Sequence, residues 1–363
     1  MPTKSGKSIY YWSICVFVAM ITYTTMSLHM CYILRHNLKV MMKFVGITIT
    51  GLGAILKVVT FMINRDSLIN YHRTLNNLFE EELMKNEKIQ TIIFSSLRTI
   101  YTLAYTYFAI LVIVIFAFFG SSYIFIIHNL LYLHLSTNYT LPLSRGVGWF
   151  WPIPHNFLYH LHLFYETSLI ILSTMTACGV DSVFGFYVYQ FSSTIRAMTF
   201  TLTNPLSTEK FSDILRTCVV KHQKLLQCRK TLEHIYGPIV FWHIVTNAML
   251  LCSLMYDLIS LPDYNFYNVS ASLVYAVIKL LQTFIYAWHG TFLTNAGEDF
   301  RKGIYFGKWP NSSLDRHVRT NVILIMMQKP MTVNAFFSPV DVIMFTNSVN
   351  ATMSYFFLLQ SIE

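Results

Sequence analysis

In this chain of 363 residues, 54% are apolar and only 12% charged, with a mean hydropathy of +0.48. Soluble domains carry about 25% charged residues, so a freely soluble globular protein is excluded and the chain belongs in a bilayer. The formal net charge of +9 needs no nucleic-acid partner, because the basic residues lie where membrane topology puts them.

A spanning helix needs about 20 mostly apolar residues, since no lipid-exposed backbone polar group can stay unpaired in hydrocarbon. Seven stretches qualify: 9–34, 38–63, 100–127, 157–180, 239–261, 271–294 and 336–360. The fourth and seventh carry scattered polar residues and lack sharp boundaries. Lys4 and Lys7 precede the first stretch, as they would a signal peptide. Its apolar run is much longer than a signal core of about 7–15 residues and no small-residue cleavage pattern follows, so a signal anchor is expected. The six cysteines (Cys15, Cys31, Cys178, Cys218, Cys228, Cys252) form no C-x-x-C pair and have no histidine at zinc spacing. They read as membrane or cytosolic thiols.

Basic residues collect in alternate connections. The amino-terminal tail holds two, residues 64–99 five, residues 196–238 seven and residues 295–335 six of the 26 lysines and arginines. By the positive-inside rule these segments and the amino terminus are cytoplasmic, and seven crossings then put the carboxyl terminus outside. Two glycosylation sequons agree: Asn138-Tyr139-Thr140 follows the third span and Asn268-Val269-Ser270 the fifth, both on the outer side. Asn311 would be cytoplasmic and Asn350 lies within the last span, so neither is expected to be modified.

Among the outer connections, residues 35–37 make a tight turn and 262–270 a short loop. Residues 128–156, with Pro142, Gly146, Gly148, Pro152 and Pro154 around Trp149-Phe150-Trp151, cannot be regular helix. That loop is either an aromatic lid or an interfacial belt. On the inner side, residues 74–90 and 209–236 have helical spacing with polar faces, and the two helices are expected to pack together in the cytosol. A fourth helix running from 157 to about 202 would be about 70 Å long and project inward, unless Gly179 and Gly185 interrupt it.

No phosphate-binding loop, zinc-protease helix or nucleophile elbow occurs. An enzyme is not expected, nor a cofactor or metal. The triplet Glu80-Glu81-Glu82 reads as a solvated face. In the last span Asn347, Asn350 and Ser354 recur at helical spacing, with Ala351 and Leu358 on the same side. Ile343, Phe345, Val349, Phe356 and Leu359 make the opposite side apolar. This polar seam is either a hydrogen-bonded contact between helices or one wall of a water-filled conduit closed by dewetting near Leu358. Lys279 lies deep in the sixth span and must reach a cavity or a carboxylate such as Glu166 or Asp257. Lys57, nearer the inner surface, is expected to snorkel. Phe44, Phe119, Tyr123, Tyr159, Phe164, Tyr165 and Tyr275 all fall in outer halves, where they would line a cavity or pack a core.

Tyr305 and Trp309, Gln328-Lys329-Pro330-Met331-Thr332, and Ser354-Tyr355 followed by Phe356-Phe357-Leu358-Leu359 are similar to the insect odorant receptors. So is Ala177-Cys178-Gly179-Val180-Asp181-Ser182-Val183-Phe184. The resemblance spans all seven helices weakly and residues 300–360 strongly. It implies an all-α fold of seven transmembrane helices with a cytoplasmic amino terminus, an extracellular carboxyl terminus and a cytoplasmic anchor made mainly of 181–238 and 295–335. It also implies an odorant-gated, non-selective cation channel. Partners would be an odorant receptor co-receptor in a heterotetramer, a small hydrophobic volatile and membrane lipid, in the plasma membrane of an olfactory sensory neuron.

Carried onto this sequence by helix and depth, the ligand would lie among Phe44, Thr48, Phe119, Tyr123, Tyr159, Phe164, Tyr165, Tyr275 and Lys279. The pore would be lined by Asn347, Asn350, Ser354, Tyr355, Leu358 and Ile362. The chain is short for that family at its amino terminus and lacks the long cytoplasmic insertion of the co-receptor, so an odour-specific subunit is expected. The ending also partly echoes the gustatory receptors, with Ser361 after Gln360 where those carry a Gln-Phe pair. That related family is the alternative, with a G-protein-coupled receptor as the reading from another class.

Overall fold

The computed structural model describes residues 4–131, 141–147, 157–205, 211–259, 266–306, 316–327 and 331–362. Among these residues the chain forms α1 (Lys4–Ile33), α2 (Leu38–Ile63), α3 (Arg65–Leu83), α4 (Glu87–Leu131), α5 (Phe157–Thr203), α6 (Phe211–Ile259), α7 (Phe266–Tyr305), α8 (Arg316–Met327) and α9 (Val342–Ile362). A two-stranded hairpin, β1 (Asn334–Ala335) and β2 (Ser338–Pro339), precedes α9. Five helices (α1, α2, α4, α5 and α6) are long and apolar enough to cross a membrane, judged on the described residues.

Named pairs fix the helix directions. Cys31 lies 3.7 Å from Thr48 while Gly51 abuts Tyr23 and Thr24, so α1 and α2 are antiparallel. Gly46 faces Leu250 and Gly53 faces Trp242, which sets α6 against α2. Asn247 bonds Thr283 and His222 stacks on Phe300, so α7 opposes α6. Asp181 bonds Gln282 and Gly185 abuts His289, which makes α5 parallel to α7. The Tyr189 hydroxyl donates to the Ile93 carbonyl while Tyr107 and Cys178 share a cluster, so α4 opposes α5. Phe284 meets Phe345 and Thr291 meets Val342, which sets α9 against α7. Thus α1, α4, α6 and α9 run one way and α2, α5 and α7 the other.

The largest buried cluster lies in the second half of α5, the first half of α6 and the last part of α7, where Phe184, Phe191, Leu225, Tyr236, Leu293 and Ala296 interdigitate. Tyr71, Leu75 and Leu78 of α3, Val322 of α8 and Met331, Val333 and Val340 around the hairpin close it. These are the parts of the helices that continue past the expected spans. Apolar burial drives such packing wherever the extensions stand in water.

Several boundaries differ from expectation. The third span extends back to Glu87, because amphipathic turns continue below its apolar run. The fourth helix is unbroken from Phe157 to Thr203: neither Gly179 nor Gly185 interrupts it, and Gly185 instead admits the His289 ring. The inner helix 209–236 and the span 239–261 are one helix running through Pro238, held on both sides of the proline by buried Ile235, Tyr236, Ile239 and Val240. The last helix begins at Val342 instead of 336, because the hairpin occupies 334–339 and Pro339 offers no amide hydrogen. The Asp341 carboxylate then caps the new start, accepting from the Met344 amide at 2.7 Å. Asn268, expected in a loop, falls in the first turn of α7. Asn138, the Trp149-Phe150-Trp151 run, Trp309 and Gln328-Lys329-Pro330 lie outside the described residues.

Glycine makes the hairpin's seat possible. A side chain at Gly290 would overlap the Val340 carbonyl oxygen, and one at Gly297 would come 2.9 Å from the Met331 nitrogen. The two glycines stand seven apart, on one face of α7, and the hairpin backbone lies along that face. From the other side the Glu233 carboxylate of α6 accepts from both the backbone and side-chain nitrogens of Asn334 at 3.0 Å.

The glutamate triplet is only partly solvated. Glu82 is fully buried and takes Lys221 at 2.7 Å and Lys85 at 2.8 Å, while Glu81 pairs with Lys221 at 2.8 Å. The hydrogen bond from Lys221 holds the Glu81 carboxyl below the usual carboxylate range. Burial opposes the charge on Lys221, yet its hydrogen bonds to Glu81 and Glu82 outweigh that penalty and raise its pKa.

Candidate ligand site and pore helix

Four of the expected ligand residues lie on α2 and α7, two on each, and a hydrogen bond links the two helices at Tyr275. The Tyr275 hydroxyl is 2.9 Å from the Thr50 hydroxyl, and the Lys279 ammonium stands 5.5 Å from the centroid of the Tyr275 ring. One turn apart on α7, the ring and the ammonium share a face. Thr48 is buried one turn below Phe44, whose carbonyl it bonds at 2.8 Å. Phe44 is itself buried under the Arg145 guanidinium, 5.6 Å away.

Residues 141–147 form the described part of the long outer loop, and they fold inward. Leu141 and Leu143 are buried, the former against Tyr159 and the latter against Tyr23 and Leu169. Gly146 (φ +84°) lies against the Tyr159 ring. Tyr159 therefore packs beneath this loop segment. Phe119 and Tyr123 are half-buried on α4. Phe164 and Tyr165 are 63% and 44% exposed, because α5 turns Leu163, Glu166 and Thr167 inward and these two outward.

Lys279 is not paired with Glu166, and the Asp257 side chain lies outside the described set. Glu166 is fully buried and accepts from the Leu143 and Ser144 amides at 2.7 and 3.4 Å, which ties the loop down. Asn247 of α6 lies level with Lys279 and Thr283 of α7. At 1.5 Å per residue the Asp257 position is then about 15 Å further along α6.

Lys57 overturns its expectation. Rather than snorkelling, it is 1% exposed and reaches Asp181 at 2.5 Å and the Ala177 carbonyl at 3.5 Å. The Asp181 carboxylate also accepts from the Tyr286 hydroxyl, and from the Gln282 amide at 2.8 Å. The ring of its neighbour His243 lies tilted against Tyr286, with centroids 5.6 Å apart. One carboxylate thus joins α2, α5 and α7, with α6 alongside. Such a pair is strongly held once formed, since losing either partner leaves an uncompensated buried charge. Sequence reasoning named Asp181 within a quoted stretch and Lys57 as a surface residue. Two opposite charges in separate apolar helices were the available signal.

Of the expected pore residues, Asn347, Asn350, Ser354, Tyr355 and Leu358 are all exposed on α9. The helix is held by its other side: Met344, Thr352 and Phe356 are buried, and the Cys252 thiol donates to the Thr352 carbonyl at 3.2 Å. The expected apolar side is corrected at Ile343, which is 70% exposed. The side chain of Ile362 lies outside the described set.

Long helices of alternating direction, several of them fit to cross a bilayer, define a multi-pass helical membrane protein. The family model for the 7tm odorant receptors matches residues 37–353, and the chain belongs to that family. It is 21% identical to Odorant receptor 49a of Drosophila melanogaster over 290 residues, covering 78% of this chain and 71% of that protein. It is 26% identical to Odorant receptor Or2 of Anopheles gambiae, covering 41% of this chain and 39% of that one. To the Anopheles gambiae odorant receptor coreceptor it is 23% identical, covering 40% of this chain and 30% of the coreceptor. These coverages fit an odour-specific receptor rather than the coreceptor. The fold matches the olfactory receptor OR5 of Machilis hrabei with TM-score 0.73 at 14% identity, covering 97% of this chain and 89% of that one. In complex with eugenol the same receptor matches with TM-score 0.78 at 15% identity, covering 100% of this chain and 92% of that one.

Proposed function

We propose that this chain is the odour-specific subunit of an odorant-gated, non-selective cation channel, assembled with a co-receptor as a heterotetramer in the plasma membrane of an olfactory sensory neuron. Its seven spans are α1, α2, α4, α5, α6, α7 and α9, with the amino terminus cytoplasmic and the carboxyl terminus outside. A small hydrophobic volatile binds between the outer parts of α2, α4, α5 and α7. The pore is lined by α9, and Leu358 closes it by dewetting.

The observation that carries this reading is the orientation of α9, fixed through Met344, Thr352 and Phe356 while Asn347, Asn350 and Ser354 stay uncovered. Polar residues on a spanning helix face other helices or water, not lipid. A single helix cannot enclose a water column, so other subunits complete the conduit. The eugenol complex of a receptor with this fold supports a small organic ligand. Membrane direction is supported by the clustering of basic residues.

Two measurements test the proposal. An epitope at the carboxyl terminus should stain on intact cells; staining only after permeabilisation would point to a receptor of the G-protein-coupled orientation. Co-expressed with the co-receptor, Ser354→Ala or Leu358→Ala should change conductance or ion preference. Unchanged currents at every substitution along α9 would remove the pore assignment.

A further inference from the structure

Lys279 is a buried cation that nothing in the described bundle neutralises. The residue is 7% exposed, and among the described residues its ammonium has the Tyr275 ring face as its recorded contact, with no carboxylate. Asp181 is spent, since one oxygen takes Lys57 and Tyr286 and the other takes Gln282. Glu166 is out of reach: it stands fifteen residues before Asp181 on α5, about 22 Å along the helix, with one oxygen on the Leu143 and Ser144 amides. The Asp257 position is about 15 Å along α6 from the level of Lys279. Among the described side chains, two ammonium groups and one carboxylate leave a surplus positive charge in a poorly solvated interior, which is costly unless something pairs with it. The neighbouring ring offsets part of that cost through its negative face, and the Thr50 hydroxyl holds the ring in place.

An ammonium offers three hydrogen-bond donors and no acceptor. The group that satisfies it must therefore accept hydrogen bonds, ideally with negative charge. A hydrocarbon would leave the cation unpaired, and an amine would add a second positive charge.

We infer that Lys279 is the polar anchor of the ligand site and that the volatile this subunit takes carries a carbonyl oxygen or a carboxylate. The inference rests on the proposed function for its site, but not on the channel mechanism. The ligand's apolar part would lie along the Tyr275 ring and α2, with its oxygen on the Lys279 ammonium.

The test uses the full chain assembled with co-receptor and two matched series: heptanal, heptanoic acid and heptane, then benzaldehyde, benzoic acid and toluene. Binding is read by thermal shift of the solubilised complex and gating by whole-cell current. In at least one series the oxygen-bearing compounds should act at a concentration about tenfold or more below the hydrocarbon. Lys279→Met should erase that gap and Lys279→Arg should keep it. Lys279→Gln serves in place of Met if surface labelling shows that Met fails to reach the membrane. A gap unchanged in the Met or Gln variant overturns the inference, as does stabilisation by chloride alone that the organic compounds cannot displace. Silence of both series in both readouts overturns it too. The expected ranking in binding with no current in any assembly would uphold Lys279 and overturn the channel reading alone.

Discussion

Asp181→Asn isolates the electrostatics of the junction between α2, α5 and α7 with almost no change in shape. The native carboxylate accepts from Lys57, Tyr286 and Gln282 while 4% exposed. The amide keeps one acceptor oxygen but strands the Lys57 ammonium, and breaking a buried pair from one side costs about 3–5 kcal/mol. Tyr286→Phe removes a single hydrogen bond to the same carboxylate and should cost about 1–3 kcal/mol. Lys57→Met with Asp181→Asn removes both charges, so the double variant should be less destabilised than the sum of the singles by about 2–3 kcal/mol. Size-exclusion melts of the solubilised complex read the order, since a 3 kcal/mol loss moves Tm by about 4 °C. Additive singles, or Asp181→Asn no worse than Tyr286→Phe, would show that the pair is not a coupled buried charge and refute the reasoning.

Three further outcomes follow from the packing. Burial lowers the His222 imidazole to about 4 from 6.5. Between those values the unfolded chain takes up a proton that the folded chain refuses, so stability present above about 6.5 should fall by about 3 kcal/mol as pH drops to about 4. Melts from pH 7 downward should show that slope, and His222→Phe should flatten it. Gly290→Ala pushes a methyl group into the Val340 carbonyl and should cost about 1–3 kcal/mol. Its maximal current should fall, whereas Gly179→Ala, whose added carbon meets nothing, should match wild type in both measures. Glu233→Gln removes a charged acceptor from the two Asn334 nitrogens, which should cost about 1 kcal/mol and raise proteolysis at the hairpin.

Long apolar runs announce themselves, so the helical class was legible from the chain alone, whereas Gly179 and Gly185 left the length of the fourth helix open. The joints between helices were not legible. Pro238 reads as a breaker on local grounds, yet burial on both sides keeps α6 whole, a tertiary override of propensity. The hairpin before α9 has only two residues per strand, too few to show alternation. At the candidate site, Tyr275 and Lys279 were placed by helix and depth alone; their common face on α7 and the bond from Tyr275 to Thr50 come from the structure. Phe164 and Tyr165 point outward on α5, which depth alone does not reveal, since depth follows from counting along a helix while facing depends on its neighbours. Lys57 was misread for a related reason: its distance from the helix end allows snorkelling, and only the position of Asp181 on another helix forbids it.

On the proposed function, the same geometry offers a route from ligand site to pore helix. Helix α7 carries Tyr275 and Lys279 at the candidate ligand site, Gln282 and Tyr286 on the Asp181 junction, and Gly290 and Thr291 against the start of α9. From Lys279 to Thr291 is twelve residues, about 18 Å of continuous helix. The Thr291 hydroxyl accepts from the Val342 amide at 3.0 Å, at the first residue of α9. A shift or rotation of α7 on ligand binding would act on α9 directly, without a loop between. Thr291→Val keeps the side-chain volume and deletes that hydrogen bond. If α7 is the lever, this variant should bind heptanal or its alternatives as wild type does and open less at saturation. Equal loss of binding and opening would instead mean that Thr291 supports the fold and that the coupling runs elsewhere.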